Sequence, residues 1–344
     1  MAQQIILTGY RPTGKLHIGH WFGNLQNMLE LQKEYDYYFF IADWHALTSE
    51  WSDSTHISEY TREMVLDWVA AGLDPEKYAI YRQSDVPEVA ELNLYFSMVT
   101  PMSWLERVPT YKEQKENLAD KDLGNVGFFL YPLLMSCDII VLGADHVPVG
   151  EDQLPHLELA REVARRFNYT YGKHEMATDG SGEEIIEQVV VEPEAIISKT
   201  GARVPGLDGR KMSKSYGNAI FISDEPDVMR KKIMSCMTDP ARQRKTDPGD
   251  PNICPLHQIH KLIGKADELA KWEEDCRCAG CGCVAHKRAV AEELVAYFEE
   301  FSKRRREVEQ IEGYAERILE EGARKARPRA QETIAKVRKA IHID

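Results

Sequence analysis

The sequence predicts an α/β fold: a parallel sheet with crossover helices, followed by an all-helical C-terminal region. Three observations carry that expectation. Short apolar runs alternate with longer helical stretches through the first half of the chain. Strand-like runs cease beyond about Asp224. Ile311, Tyr314, Ala315, Ile318 and Leu319 recur at helical spacing, and Ala330, Ile334, Val337 and Ile341 continue the habit after Pro328. A length of 344 residues suits about two domains. The expected division is 1–220 for the sheet-bearing unit and 221–344 for the helical one.

Each element has a local cause. Residues 4–8 carry three consecutive aliphatics and read as a short buried strand. The turn-rich GYRPTGK follows, and then a helix from about His17 to Lys33. Residues 37–42 (YYFFIA) read as the next strand. Thr61, Met64, Val65, Trp68 and Val69 fall on one face of an expected helix over 54–71. Residues 78–82 are strand-like again. A helix is expected from Tyr131 to Val141, a loop over GADHVPVGEDQ, and a helix from Leu154 to Phe167. Residues 178–184 read as loop. There is no internal repeat and no low-complexity tract.

Composition excludes several classes. Hydrophobic residues are 43% and charged residues 29%, so disorder and fibres are excluded. No run of about 18 apolar residues exists, so no membrane-spanning helix is expected. The opening MAQQIILTGY lacks a basic segment before its aliphatics, so no secretory signal is expected either. These features predict a cytoplasmic protein with reduced cysteines.

The net charge of -13 disfavours a nucleic-acid partner when taken alone. Its distribution reverses that inference. Residues 1–286 carry 29 basic and 44 acidic side chains, whereas 287–344 carry 14 and 12. The stretch 202–245 has 10 basic and 5 acidic residues, and KRRR occupies 303–306. These basic strips are the expected place for nucleic-acid phosphates.

Three phosphate-type motifs compete. Gly9–Lys15 satisfies G-x-x-x-x-G-K, the start of a P-loop. Leu16 then stands where a magnesium-binding hydroxyl belongs, and Pro12 removes one backbone N–H from the cradle. The P-loop assignment is therefore disfavoured. His17-Ile18-Gly19-His20 follows directly, placing two imidazoles on one face of a helix start. Gly19 lets a base or ribose approach the backbone. Lys211-Met212-Ser213-Lys214-Ser215 follows Gly206, Gly209 and Arg210 and reads as a mobile loop. Its two lysines suit a leaving pyrophosphate, whose developing charge needs cations. Each motif alone fits an ordinary surface pair or a solvated basic loop.

Together, HIGH near the N-terminus and KMSKS nearly two hundred residues later form the paired signature of class I aminoacyl-tRNA synthetases. The chain resembles that class over most of its length. More narrowly it is similar to tryptophanyl-tRNA synthetases of the bacterial type. Phe40–Ala46 (FIADWHA), Tyr131–Asp138 (YPLLMSCD), Val147–Gln153 (VPVGEDQ) with HLELAR after it, and Gly206–Ser215 (GLDGRKMSKS) occur in that family's order. The resemblance implies a Rossmann-like nucleotide-binding domain, a helical anticodon-binding domain carrying the cysteines, and a homodimer. It implies activation of L-tryptophan by ATP with Mg²⁺, followed by transfer to tRNA(Trp).

Site residues follow by the same resemblance. His17, His20, Lys211 and Lys214 are the expected catalytic groups, with Lys112 and Gln153 as weaker candidates. ATP would be held by Arg11, Thr13, Gly19, His20, Gly150, Asp152, Lys211, Met212, Ser213, Lys214 and Ser215. Arg11 departs from the family, where glutamine is common. Either a phosphate contact or a surface charge fits it. Tryptophan would be held by His45, Tyr131, Met135, Asp138, Val149 and Gln153. Indole has one polar atom, an N–H donor, so a pocket for it needs one acceptor in an apolar slot. Tyr131, Met135 and Asp138 share one helix face, with Asp138 as that acceptor. A pocket for tyrosine, the nearest alternative, would need a polar residue at 135. A non-catalytic RNA-binding paralogue is the alternative from another class.

Five of seven cysteines lie between Cys254 and Cys283. Some members of the family hold a [4Fe–4S] cluster on a C-x₂₂-C-x₆-C-x₂-C pattern. Here Cys254, Cys276 and Cys283 approximate the first three positions, and His286 stands at the fourth. Cys278 and Cys281 lie inside the loop. The fourth ligand is therefore Cys281, Cys278 or His286. All-cysteine ligation favours the cluster and Cys₃His favours Zn²⁺. Cys137 and Cys236 read as core thiols.

Overall fold

The structure, a computed structural model, describes residues 4–109, 123–176, 184–197, 204–244 and 246–343, without the side chains of Asp152 and Ser215. Five parallel strands form the central sheet in the order β3-β2-β1-β4-β7. They are β1 (Ile5–Tyr10), β2 (Asp36–Ile41), β3 (Ala79–Arg82), β4 (His146–Val149) and β7 (Glu194–Ile197). A two-stranded antiparallel ribbon, β5 (His174–Met176) with β6 (Glu184–Ile186), stands apart from it.

Strand β2 reads DYYFFI without polar alternation because helices cover both faces of a parallel sheet. Successive side chains accordingly enter two different cores. Ile6, Tyr37 and Phe39 belong to one, and Ile5, Leu7, Tyr38 and Phe40 to the other. Strand order reverses between β1 and β4. In such sheets ligands bind at the carboxyl ends of the strands flanking that reversal.

The first helical run covers residues 18–31, with a π-helical turn at Trp21–Leu25. The amphipathic helix is Ile57–Ala71 and ends at Gly72, whose φ of 111° closes the C-terminus. Helix Val126–Val141 begins five residues before its expected start, because the Asn125 side chain accepts from Phe128 N at 2.8 Å. Helix Leu154–Tyr171 runs four residues past its expected end.

Two strands of the central sheet were hidden. The expected loop over 143–153 contains β4, and β7 had no strand signal. Pro148 and flanking acids mask them; β4 lies inside the sheet between β1 and β7, and β7 is the edge strand. Helices Asp43–Glu50 and Glu88–Val99 were likewise not anticipated. The C-terminal region is helical among its described residues, as expected. Its last helix, Tyr314–Ala340, returns to the sheet and crosses β3. Gly322 permits this approach, since a Cβ there would fall 1.9 Å from Ile80 O. Among the described residues, no helix is long and apolar enough to cross a membrane.

Candidate active site

The two basic motifs meet at the end of β1. Backbone pairing brings them together across two hundred residues. Ile18 N donates to Ile220 O at 3.0 Å and Ile222 N to Leu16 O at 3.0 Å, so the segment after KMSKS lies along the start of HIGH. Lys214 Nζ donates to Gly14 O at 2.8 Å and lies 3.4 Å from Thr13 Oγ1. Burial lowers the Lys214 ammonium to about 8.

The histidines of HIGH are stacked, with ring centroids 3.7 Å apart. His17 N donates to His20 Nδ1 at 3.1 Å, so Nδ1 is the acceptor and the His20 proton resides on Nε2. Burial pushes His17 down to about 4, with Lys214 and Lys211 adding to the shift. His20 lies well below the usual imidazole range, through burial first and then His17 and Lys214. Both rings are thus neutral near pH 7 and act as hydrogen-bond donors rather than cations. A Cβ on Gly19 would come 2.8 Å from His17 Nδ1, so any larger residue there would displace the His17 ring.

The KMSKS loop is braced by Asn218. Its Oδ1 accepts from Ser213 N at 2.8 Å, and its Nδ2 donates to Asp208 Oδ1 at 2.7 Å and Lys211 O at 3.2 Å. Met212 is buried beneath the loop. Ser215 belongs to a short 3₁₀ turn closed by Gly217.

Beside this cleft, a cavity of about 200 Å³ opens between β1, β4 and helix Val126–Val141. His45, Tyr131, Met135, Asp138, Gln153 and Arg11 are in its wall. Apolar surface comes from Leu7, Phe40, Ile139 and Val147. Gly9 makes room for Phe40, whose ring would lie 2.2 Å from an added Cβ. Asp138 is 2% exposed. Gln83 Nε2 donates to both of its oxygens, at 2.8 and 2.9 Å, and His45 Nε2 lies 3.1 Å from Oδ2. Burial raises the Asp138 carboxyl, and these two partners oppose the shift. The arrangement is a single fixed carboxylate in a mostly apolar slot.

Of the other expected residues, Arg11 turns toward Ser49 Oγ rather than to the surface. Val149 is buried at the end of β4, while Val147 supplies the lining aliphatic of that strand. Gly150 and Asp152 lie in the turn that follows β4. Lys112 lies outside the described residues.

Comparison with known proteins places the chain in a family. A family model for class I tRNA synthetases (W and Y) matches residues 2–299. Tryptophan–tRNA ligases from Thermotoga maritima and Aquifex aeolicus are 44% and 40% identical to the chain, each over 98% of it and 99% of the relative. The chain belongs to the tryptophan–tRNA ligase family. A crystal structure of tryptophanyl-tRNA synthetase from Campylobacter jejuni, complexed with ADP and tryptophan, matches with a TM-score of 0.85 and 34% identity. That match covers 98% of this chain and 100% of the other.

Two residues that brace this candidate site had no sequence signal. Gln83 follows β3 and reaches Asp138 across 55 positions, and Asn218 looked like an ordinary residue after a glycine. Their roles arise from contacts between distant segments, which spacing does not encode.

The cysteine region lies in the helical part. Burial raises the Cys276 thiol; Arg242 opposes that, and Cys281, Cys254 and Cys283 add to it. The Arg242 guanidinium lies 3.9 Å from Cys276 Sγ and also donates to Cys281 O. Cys278 is exposed and directs its thiol to Asp275 O at 3.8 Å. His286 lies elsewhere: its ring stacks on Trp272 at 4.5 Å, and its Nε2 is 2.9 Å from His260 Nδ1. Of the four basic residues at 303–306, Arg305 is buried. It donates to Asp67 at 3.0 Å and Glu63 at 2.8 Å, so it offers nothing to a nucleic acid.

Proposed function

We propose that this chain activates L-tryptophan with ATP and transfers it to tRNA(Trp). A tryptophan carboxylate oxygen attacks the α-phosphorus, the bond to the β-phosphate oxygen breaks, and tryptophanyl-AMP and pyrophosphate form. The terminal ribose hydroxyl of the tRNA then attacks the acyl carbon, the bond from that carbon to the phosphate oxygen breaks, and AMP leaves with the hydroxyl proton on its phosphate. No general base is needed in the first step, because a carboxylate is already a nucleophile. The protein supplies orientation and charge stabilisation. Neutral His17 and His20 donate to phosphate oxygens, Lys211 and Lys214 neutralise the leaving pyrophosphate, and Mg²⁺ accompanies ATP. Arg11, Thr13, Gly19, Gly150, Asp152, Met212, Ser213 and Ser215 shape the ATP site.

One observation carries this reading: the HIGH–KMSKS junction borders a cavity whose one buried carboxylate suits an indole N–H. His45, Tyr131, Met135, Val149 and Gln153 complete the tryptophan site. The test is acylation of tRNA(Trp) with ATP and labelled tryptophan, alongside pyrophosphate exchange. Both reactions are expected. Absence of exchange would restore the non-catalytic paralogue.

The helical residues beyond 221 form the anticodon-binding part in this reading, with the last helix joining the catalytic unit. Cys254, Cys276, Cys281 and Cys283 would hold a [4Fe–4S] cluster. The Arg242 guanidinium beside Cys276 and Cys281 supports this, because it favours thiolates. Such a cluster spreads its ligands more widely than Zn²⁺ does, and no three of these sulfurs come within 4.8 Å among the described residues. A homodimer is supported by the exposed apolar side chains Leu94, Met98, Met102 and Val126 on and beside helix Glu88–Val99.

A further inference from the structure

A second cluster of metal-ligating type lies outside the catalytic cavity and contains no cysteine. His257 and His260 stand on helix Pro255–His260, and His286 on helix Cys283–Tyr297. The three residues are 1%, 0% and 6% exposed. One ring nitrogen from each lies within 4.8 Å of the other two.

The remaining bonds divide these nitrogens into outer and inner sets. His257 Nε2 is 2.9 Å from Glu273 Oε1, and His260 Nε2 is 2.9 Å from Glu293 Oε2. Their Nδ1 atoms are therefore the ones left for the centre. His260 Nδ1 faces His286 Nε2 at 2.9 Å, and His257 Nδ1 is buried with no hydrogen-bond partner among the described residues. A purely hydrogen-bonded cluster accounts for one proton between His260 and His286 and leaves His257 Nδ1 stranded, which buried polar atoms rarely are. A cation accepting three lone pairs satisfies all three. A carboxylate behind a ligating imidazole is also the usual outer support of a metal-bound histidine.

We propose that His257, His260 and His286 bind one divalent transition-metal ion, zinc by preference, at a site separate from the thiols. Imidazole nitrogens suit zinc, and three of them leave a fourth position for water. His257 stands one turn beyond Cys254 and His286 one turn beyond Cys283, so the ion ties together the two helices whose starts Cys254 and Cys283 mark. This does not rest on the proposed catalytic activity.

The test reads metal content rather than catalysis. The full chain carrying C254S, C276S, C281S and C283S is stripped of metal, equilibrated with zinc and assayed. One zinc per chain is expected, bound about tenfold to a hundredfold more weakly after Glu293→Gln and not at all after His257→Ala with His286→Ala. A folded thiol-free chain that binds no zinc, or zinc binding unchanged by the histidine substitutions, overturns the proposal. Should the serine variant not fold, zinc-edge X-ray absorption of the zinc-loaded unmodified chain decides. Nitrogen scatterers at about 2.0–2.1 Å support the site, and an all-sulfur shell contradicts it.

Discussion

The amino-acid cavity and the phosphate cleft share the carboxyl end of β1 but are built in opposite ways. The cavity is apolar and places one buried carboxylate, Asp138, between Gln83 and His45. The cleft gathers Lys214, the turn carbonyl of Gly14 and two neutral imidazoles, with its second lysine on a loop braced by Asn218. In the proposed role the first arrangement suits discrimination, because Gln83 and His45 fix the buried carboxylate in one orientation and a side chain that brings no donor leaves its remaining lone pair unmet. The second tolerates any correctly placed carboxylate and responds to charge that develops during reaction.

That contrast can be broken at several points. The largest effect is expected from Asp138→Ala: kcat/KM for tryptophan in pyrophosphate exchange should fall about 10³-fold with KM for ATP unchanged. A matching rise in KM for ATP would show that the two halves are not separate. Lys214→Ala should lower kcat about 10²-fold and leave KM for tryptophan alone. Gln83→Ala tests whether Asp138 must be held in place; steady-state exchange should give a roughly tenfold higher KM for tryptophan. The smallest effect concerns pH. Lys214 is a cation below about 8 and neutral above it, so kcat/KM for ATP should be about halved near pH 8 and decline further as pH rises. Lys214→Arg should remove that limb from the profile.

Sequence made some parts of the site legible and concealed others for physical reasons. Tyr131, Met135 and Asp138 were readable because one helix carries all three at a fixed spacing. His17, His20 and Lys214 were readable because short motifs preserve local geometry. Gln83, Asn218 and the inward turn of Arg11 depend on which strands become neighbours, and no local pattern states that. The same holds for His257, His260 and His286, drawn together from two helices while the nearby cysteines attracted attention. Strand β4 was lost because only its neighbours β1 and β7 make it a strand. Arg305 illustrates the converse: within a basic run it looked like surface, yet Asp67 and Glu63 bury it.

Amino-acid-dependent pyrophosphate exchange, run in parallel with tryptophan and with tyrosine, tests the assignment of the Asp138 cavity most directly. One fixed carboxylate in a mostly apolar wall, with Met135 where a phenol would want a polar partner, predicts that kcat/KM for tryptophan exceeds that for tyrosine by about 10⁴-fold or more. Equal rates, or exchange with tyrosine alone, would contradict it.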